Sequence, residues 1–417
     1  MHTVNPKYQD KSWDFRTADT KEYTHCFHTY PAMMIPQIAR KLLNQYGMEG
    51  EWLFDPYCGT GTSLVEASLF GMHSVGCDIN PLVRLIATTK LMFIPLDILD
   101  SELKKLDKVL FQVEFGTDKV PDAPIPKIPN LDYWFSEEII KSIAYLLDCI
   151  NKVEDQAVRN FLTVAFSETV REVSYTRTST FKLHRIPAEK LENFNPDIFG
   201  TFRKKLNRNR QGLAAYLEKR KDVEASICDA NTVNGELPMP CPLGGYNLVI
   251  TSPPYGDSHT TVAYGQFSRL SAEWLGLPNA RKIDRLAMGG QNSRETLAGT
   301  PVSSAIKKIS SIDEKRAREV SAFYIDLEHS ISSAVKTLSQ RSTICYVVGN
   351  RRVKDVTLPT DEFVVFAFGK HGFSHKETIV RNIPNKRMPL KNSPSNVAGQ
   401  TSTTMHEENI VICQRTD

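Results

Sequence analysis

The sequence has no C-x-x-C pair. Its eight cysteines stand singly at positions 26, 58, 77, 149, 228, 241, 345 and 413. That spacing offers neither a zinc knuckle nor a disulfide framework, so no metal is expected and the thiols should pack as small apolar side chains in a reducing compartment. No run approaches the ~18 apolar residues of a membrane span. The opening MHTVNPKYQDKSWDF lacks the apolar core of a secretory signal. These absences point to a cytoplasmic protein of the prokaryotic cytosol or nucleoid. No internal repeat is apparent.

Excess charge is also scarce: the 417 residues carry a net +3. What there is lies unevenly. Arg171 to Lys221 holds 13 Lys/Arg against 5 Asp/Glu, a surplus that leaves the rest of the chain acidic. Arg281 to Arg318 holds 9 against 4, and Lys370 to Lys391 holds 6 against 1. Such runs are either solvated helix faces or the footprint of a phosphate backbone.

Trp52 to Asn80, WLFDPYCGTGTSLVEASLFGMHSVGCDIN, reads as a strand, a tight glycine loop, a helix closed by Gly71, and a second strand ending in Asp78. This is the first half of a nucleotide-type α/β fold. The loop lacks the Lys-Ser/Thr of a phosphate-binding P-loop and the third glycine of the dinucleotide fingerprint. It begins instead with Asp55. A carboxylate there repels a pyrophosphate and suits a cationic ligand bearing an amino group. An acid at the end of the second strand suits the two hydroxyls of a ribose. S-adenosylmethionine combines these features and carries no phosphate.

The second motif is Asn247 to Ser258, NLVITSPPYGDS. Leu248-Val249-Ile250 reads as a buried strand that stops at Ser252-Pro253-Pro254-Tyr255. Consecutive prolines cannot continue a sheet ladder, so the chain leaves in a stiff turn at the strand's carboxyl end. In open α/β sheets ligands bind at that edge. The turn offers a hydroxyl, carbonyls held in direction, and an aromatic face. By itself it also fits a merely rigid loop.

Together, DPYCGTGT, GCDIN and TSPPY resemble the motifs of the DNA amino-methyltransferases, which methylate the exocyclic amine of cytosine (N4) or adenine (N6). FHTYPAMMIPQIARKLL resembles that family's additional cofactor-contacting motif. The resemblance covers the first ninety residues and the chain from about Ile227. It implies a Rossmann-like S-adenosylmethionine-dependent methyltransferase fold with a helical insertion. By residue it implies cofactor contacts from Phe27, Tyr30, Asp55, Pro56, Tyr57, Cys58, Gly59, Thr60, Gly61, Thr62, Asp78, Ile79, Asp229 and Ala230. Asp229 matches the acid that accepts from the adenine amine, or else serves as a helix cap. The catalytic motif maps onto Ser252, Pro253, Pro254 and Tyr255, and its SPPY form goes with cytosine N4. The target amine would donate to Ser252 and the Pro253 carbonyl while the base, flipped from duplex DNA, stacks on Tyr255. Helicase and nuclease motifs are absent, so a restriction endonuclease partner would be a separate chain.

The chain is therefore expected to divide into residues 1–95 and 226–417, forming the core, and a mostly helical, DNA-engaging insertion at 96–225. Pro95 to Pro129 reads as irregular, with four prolines in VPDAPIPKIPN. Helices are expected over Pro36–Gln45, Ile139–Ile150, Val158–Val173, Phe202–Lys221 and Asp313–Leu338. Residues after Tyr255 to about Ser311 read as a mobile loop, and Phe363–Phe368 is ambiguous. Asp257, His259, Asn350 and Arg351 are further candidates for substrate contact or local structure. Three other functions fit the motifs: an adenine-N6 enzyme, a tRNA or rRNA guanine-N2 methyltransferase, and a non-catalytic DNA-binding subunit. The roughly fifty residues before the loop leave little room for the RNA-binding domain usual in the RNA enzymes.

Overall fold

The computed structural model describes residues 7–116, 119–177, 180–234, 237, 244–257, 261–291, 297–383, 391–392, 402–403 and 406–416. His259 and Ser258 lie outside the described residues.

Strand β1 (Lys7–Gln9) leads through two short 3-10 turns to helix α1 (Pro36–Tyr46), which starts on a proline as expected. The glycine-loop unit follows: β2 (Trp52–Asp55), α2 (Thr62–Phe70), β3 (His73–Asp78) and α3 (Pro81–Leu91). Helices α4 (Leu96–Phe115), α5 (Leu131–Trp134), α6 (Glu137–Asn151), α7 (Gln156–Glu172), α8 (Ala188–Leu191) and α9 (Ile198–Lys219) form the insertion. The chain returns to the sheet with β4 (Ala225–Asp229) and β5 (Tyr246–Thr251). After α10 (Tyr264–Trp274), α11 (Ile283–Leu286), α12 (Ser303–Ile312) and α13 (Glu314–Val335) comes β6 (Leu338–Val348). A two-residue ladder, β7 (Arg352–Val353) with β8 (Val356–Thr357), precedes α14 (Thr360–Gly369) and β9 (Phe373–Asn382). A second small ladder, β10 (Lys391–Asn392) with β11 (Ser402–Thr403), leads to β12 (Glu407–Arg415).

Eight strands form one sheet in the order β1-β9-β12-β6-β5-β2-β3-β4. All neighbours are parallel except β12, which is antiparallel to both β6 and β9. Successive side chains of a strand point to opposite faces, and the packing follows that period. Leu248 and Ile250 of β5, with Cys345 and Val347 of β6, pack beneath α1 with Ile38, Leu42 and Leu43. Val249, Ile344 and Tyr346 face the other way, against Phe323, Leu327 and Ile331 of α13. Each such fully buried side chain contributes about 1.5–3 kcal/mol. Covered faces explain why these strands read as unbroken apolar runs. The result is the doubly wound, Rossmann-like sheet that the motifs imply.

Two segments differ from expectation, and a third that was open is resolved. Residues 96–115 are a five-turn helix rather than irregular chain. Leu99, Leu106 and Leu110 are buried at helical spacing, with Leu103 packed beside them, and the prolines lie beyond the helix. The described part of the segment after Tyr255 carries three helices: Phe267, Leu270 and Trp274 of α10 are buried at helical spacing, and α11 and α12 follow. Phe363–Phe368 belongs to α14, with Phe363, Val364, Ala367 and Phe368 buried.

The basic helix α9 also departs from its expected role. Arg210 makes a two-point contact with Asp100 of α4 at 2.8 and 2.9 Å, and Arg203 pairs with Asp107 and Glu114. Arg208 reaches Glu168 of α7 at 2.7 Å, and Lys205 pairs with Glu172. These four cations fasten α9 to its neighbours instead of pointing at a phosphate backbone. Among the described residues no helix is long and apolar enough to cross a membrane.

Candidate active site

The sheet reverses its winding between β2 and β5: from β2 the order runs outward to β3 and β4, and from β5 to β6. At such a switch point the loops leaving adjacent strands part and open a crevice. Both motifs leave there. A cleft of about 1010 Å³, counted to its open mouth, is lined by residues from the glycine loop, the Asp78 turn, the end of β4 and Ser252.

The glycine loop holds its shape by means the residue types dictate. Gly59 and Gly61 have φ of +49° and +79°, where a side chain is strained. A Cβ on Gly61 would also stand 3.0 Å from Ala87 of α3. Gly59, Thr60 and Thr62 line the cleft with Asp55, Pro56, Tyr57 and Cys58, while Gly61 sits behind them as the packing residue.

Asp55 is buried, and its oxygens accept from Ser63 Oγ, Thr251 Oγ1 and the Tyr57 amide. Burial pushes its pKa up to about 6, against the pull of these donors. The carboxylate therefore ties the ends of β2 and β5 together. It forms part of the cleft wall with most of its acceptor capacity already used, unlike the free carboxylate expected at a loop mouth.

Asp78 also lines the cleft, beside Ile79 and Asn80. It accepts from the Gly59 amide at 3.2 Å and the Asn80 amide at 2.7 Å, and burial raises its pKa to about 6. Asn80 caps α3 through the Leu82 amide and donates to the Tyr30 hydroxyl at 3.0 Å. Tyr30 stacks on Tyr264, with centroids 6.2 Å apart, and both line the cleft. The mixture of apolar wall and few polar groups suits a nucleoside-sized ligand. Asp78 suits a diol, and the open space over Gly59, where an added Cβ would meet nothing within 4 Å, lets a ligand approach the backbone.

Other expected residues lie elsewhere. Phe27 has no exposed surface: it packs edge-on to Phe161 in the insertion's core, and its carbonyl accepts from Arg208 and Asn209. That places it away from the cleft; Tyr30 through Met34 line it instead. Asp229 ends the edge strand β4 with 71% of its side chain exposed and pairs with Arg84 at 2.7 Å. It borders a neighbouring hollow, while Ala230 and the following Asn231, Thr232 and Val233 line the main cleft. Asp229 stands at the open edge of the sheet, with no further strand to cover it.

In the second motif Ser252 and Pro254 line the cleft. Ser252 Oγ donates to the Tyr255 hydroxyl at 3.3 Å, and that hydroxyl donates to Glu408 Oε1 at 2.9 Å. Asp257 has no exposed surface and lies 3.1 Å from both Arg316 and Arg351. Asn350 exchanges hydrogen bonds with Asp361 and so caps α14, the structural alternative for that residue.

Lys90 was not singled out in the sequence. Its ammonium is fully buried and donates to Thr60 Oγ1 at 3.3 Å, and desolvation pulls its pKa down to about 8. The signal was present: Leu82, Ile86 and Lys90 recur at helical spacing on the inward face of α3. Glu408, on a strand far along the chain, carried no such signal.

Asp78→Asn should weaken binding of S-adenosylmethionine by roughly 10- to 100-fold, since a hydrogen bond to a charged group is worth about 1.5–3 kcal/mol. With native Asp78, affinity should fall as pH drops through about 6, where the carboxylate gains its proton. The sign separates this from unfolding. An acid whose folded pKa lies above its unfolded value binds protons more readily when folded, so Asp78 and Asp55 add stability to the ligand-free protein as pH falls from 6 toward 4. Calorimetric titration from pH 5 to 8 checks this, and an Asp78→Asn profile as steep as the native one would assign the titration to another group.

Residues 21–112 match the RMKL-like methyltransferase domain (UPF0020). Over 95% of this chain and 92% of the other, the sequence is 38% identical to the type II methyltransferase M.MvaI of Kocuria varians. An 81-residue stretch, 19% of this chain and 22% of the other, is 37% identical to a tRNA (guanine(10)-N2)-dimethyltransferase of Methanocaldococcus jannaschii. Among solved structures, the rRNA methyltransferase aviRa of Streptomyces viridochromogenes aligns over 93% of this chain and 88% of its own at 10% identity, with a TM-score of 0.33. Similarity to M.MvaI along nearly the whole of both chains, on a sheet whose switch point joins the two motifs, means that the chain belongs to the type II DNA methyltransferases, which take their methyl group from S-adenosylmethionine.

Proposed function

We propose that this methyltransferase acts on the N4 amine of cytosine within a specific duplex DNA site. The observation that carries the reading is Ser252, which lines the same cleft as Asp78 and the glycine loop. Asp78, Ile79, Tyr30 and Ala230 would hold the nucleoside part of S-adenosylmethionine, and Asp55 through Thr62 would cradle its amino-acid part. When bound, the cofactor supplies an electrophilic methyl group.

The protein's own task is to make a poor nucleophile competent. The lone pair of an exocyclic amine is delocalised into the ring. Ser252 Oγ and the Pro253 carbonyl would accept its two hydrogens and turn the lone pair out of the ring plane, toward the methyl group. Orientation of this kind is worth up to ~7–11 kcal/mol. The base must leave the duplex stack to reach the cleft, and the Tyr255 ring offers the stacking face.

For gripping DNA, the segment from Ser174 to Arg185 has better support than α9. It is docked beside the cleft: Arg171 donates to the Thr180 and Phe267 carbonyls, and the Leu183 amide donates to Gln266 of α10. Arg177 is exposed there. A separate restriction endonuclease would complete a restriction-modification pair.

Labelled S-adenosylmethionine should be tested with unmethylated genomic DNA and, in parallel, bulk tRNA, and the nucleosides separated. N4-methylcytosine is the expected product. N6-methyladenine would keep the site and change the base. Label confined to RNA would overturn the DNA substrate.

A further inference from the structure

Beyond the cofactor cleft, the catalytic turn is hydrogen-bonded to a carboxylate from the far end of the chain. Strand β12 runs antiparallel to β6, so its first residues lie at the edge where β5 ends. Glu408 sits one residue before the pair Asn409–Val348. Its cross-strand partner on β9 is Arg381, which forms an ion pair with it. Arg381 is itself fixed, being buried and donating to the carbonyls of Trp13 and Asp14. The other Glu408 oxygen accepts from the Tyr255 hydroxyl at 2.9 Å, and that hydroxyl accepts from Ser252 Oγ at 3.3 Å. All donors point the same way, from the cleft toward Glu408. The Glu408 side chain keeps 15% of its surface exposed, so the chain starts at the reacting edge and ends near solvent.

We propose that Ser252, Tyr255 and Glu408 form a proton relay that removes the proton released when the target amine is methylated, with Glu408 as its terminal acceptor. The inference rests on the reading of Ser252 as the amine's partner. It holds whether the amine belongs to cytosine or adenine. The balance is complete. The nitrogen lone pair forms the N–C bond as the S–C bond breaks, and its electron pair stays on sulfur. The amine then loses one proton to Ser252 Oγ, Ser252 passes its own to Tyr255, and Tyr255 passes its own to the Glu408 carboxylate. Glu408 releases that proton to water. Arg381 holds the carboxylate in place.

The test is single-turnover methylation of the native site, alongside cofactor titration and fluorescence of 2-aminopurine at the target base, which reports flipping. Glu408→Gln keeps an acceptor oxygen but cannot take a proton. Tyr255→Phe keeps the ring and cuts the relay. Each is expected to slow transfer by roughly 10²-fold, the lower range for general acid–base help, with cofactor affinity and flipping unchanged; Glu408→Gln also removes the charge partner of buried Arg381 and should lower the melting temperature, which Tyr255→Phe should not. The double variant should be no slower than either single one, because both break one chain. Glu408→Asp should recover part of the rate. Glu408→Gln at the native rate would overturn the relay, as would multiplicative losses in the double variant. A rate loss that merely tracks lost cofactor affinity, or that is absent from Tyr255→Phe, would reduce Glu408 to a structural residue. Native protein that methylates no base amine would instead sink the reading of the site itself.

Discussion

Ser252→Ala should lower the single-turnover rate of methyl transfer by roughly 10²–10³-fold, the loss typical when one positioned hydrogen-bonding group at a reacting centre is removed. Cofactor affinity should stay within a factor of about two, because Asp78 and the glycine loop are untouched. Ser252 lines the cleft, and its hydroxyl already donates to Tyr255, so its lone pairs face the remaining space. Alanine leaves the amine's hydrogen without an acceptor and the lone pair delocalised. Quench-flow on a short duplex gives the rate, and calorimetry gives the affinity. A variant transferring at the native rate would mean that the amine is held elsewhere.

The second large effect concerns stability. Asp257→Ala should cost about 3–5 kcal/mol, the usual result of stripping one partner from a buried ion pair. Stabilities of whole proteins are about 5–15 kcal/mol, so the loss would be a large fraction of the total. Asp257 is fully buried between Arg316 of α13 and Arg351 just after β6, 3.1 Å from each. Burial already lowers the pKa of Arg351, and Asp257 opposes that shift. Removing the carboxylate strips Arg351 of its acid beside Arg316, which keeps Glu319 at 2.6 Å. Arg351 packs directly on Gly256, where an added Cβ would lie 1.5 Å from Nη1. Because Gly256 and Asp257 directly follow Tyr255, the Ser252–Tyr255 turn should lose its anchor as well. Urea denaturation measures the cost. Replacing Asp257 and Arg351 together by Leu and Met should recover part of it, since an apolar pair of similar volume removes the uncompensated charge. A loss under about 1 kcal/mol for Asp257→Ala would show that the ions are solvated in solution.

Asp257 marks the boundary of what could be read along the chain. Beside the SPPY turn it stood as a candidate for substrate contact. Its partners lie 59 and 94 residues away, and no local pattern announces them. The pairing of α9 is similar. Thirteen basic residues in one window suggested DNA, but the acids that meet Arg203 and Arg210 sit on α4. The α4 segment itself was hidden by the nearby prolines, though its leucines kept helical spacing. The helices after Tyr255 were obscured by glycine, serine and threonine, whose local preferences packing overrides.

What local order decided was the chemistry of the two turns. Glycines that need positive φ, prolines that end a strand, and an acid closing β3 act through the backbone of their own few residues, so neighbours in sequence suffice. Alternation along β5 and β6 likewise reports which faces are covered. Tertiary structure decided which of these groups meet. The winding of the sheet put the glycine loop and Ser252 on either side of one crevice. The edge position of β4 turned Asp229 outward. The antiparallel return of β12 carried Glu408 to the Tyr255 hydroxyl. These outcomes depend on strand order and direction, which pair residues hundreds of positions apart and leave no local trace in the sequence.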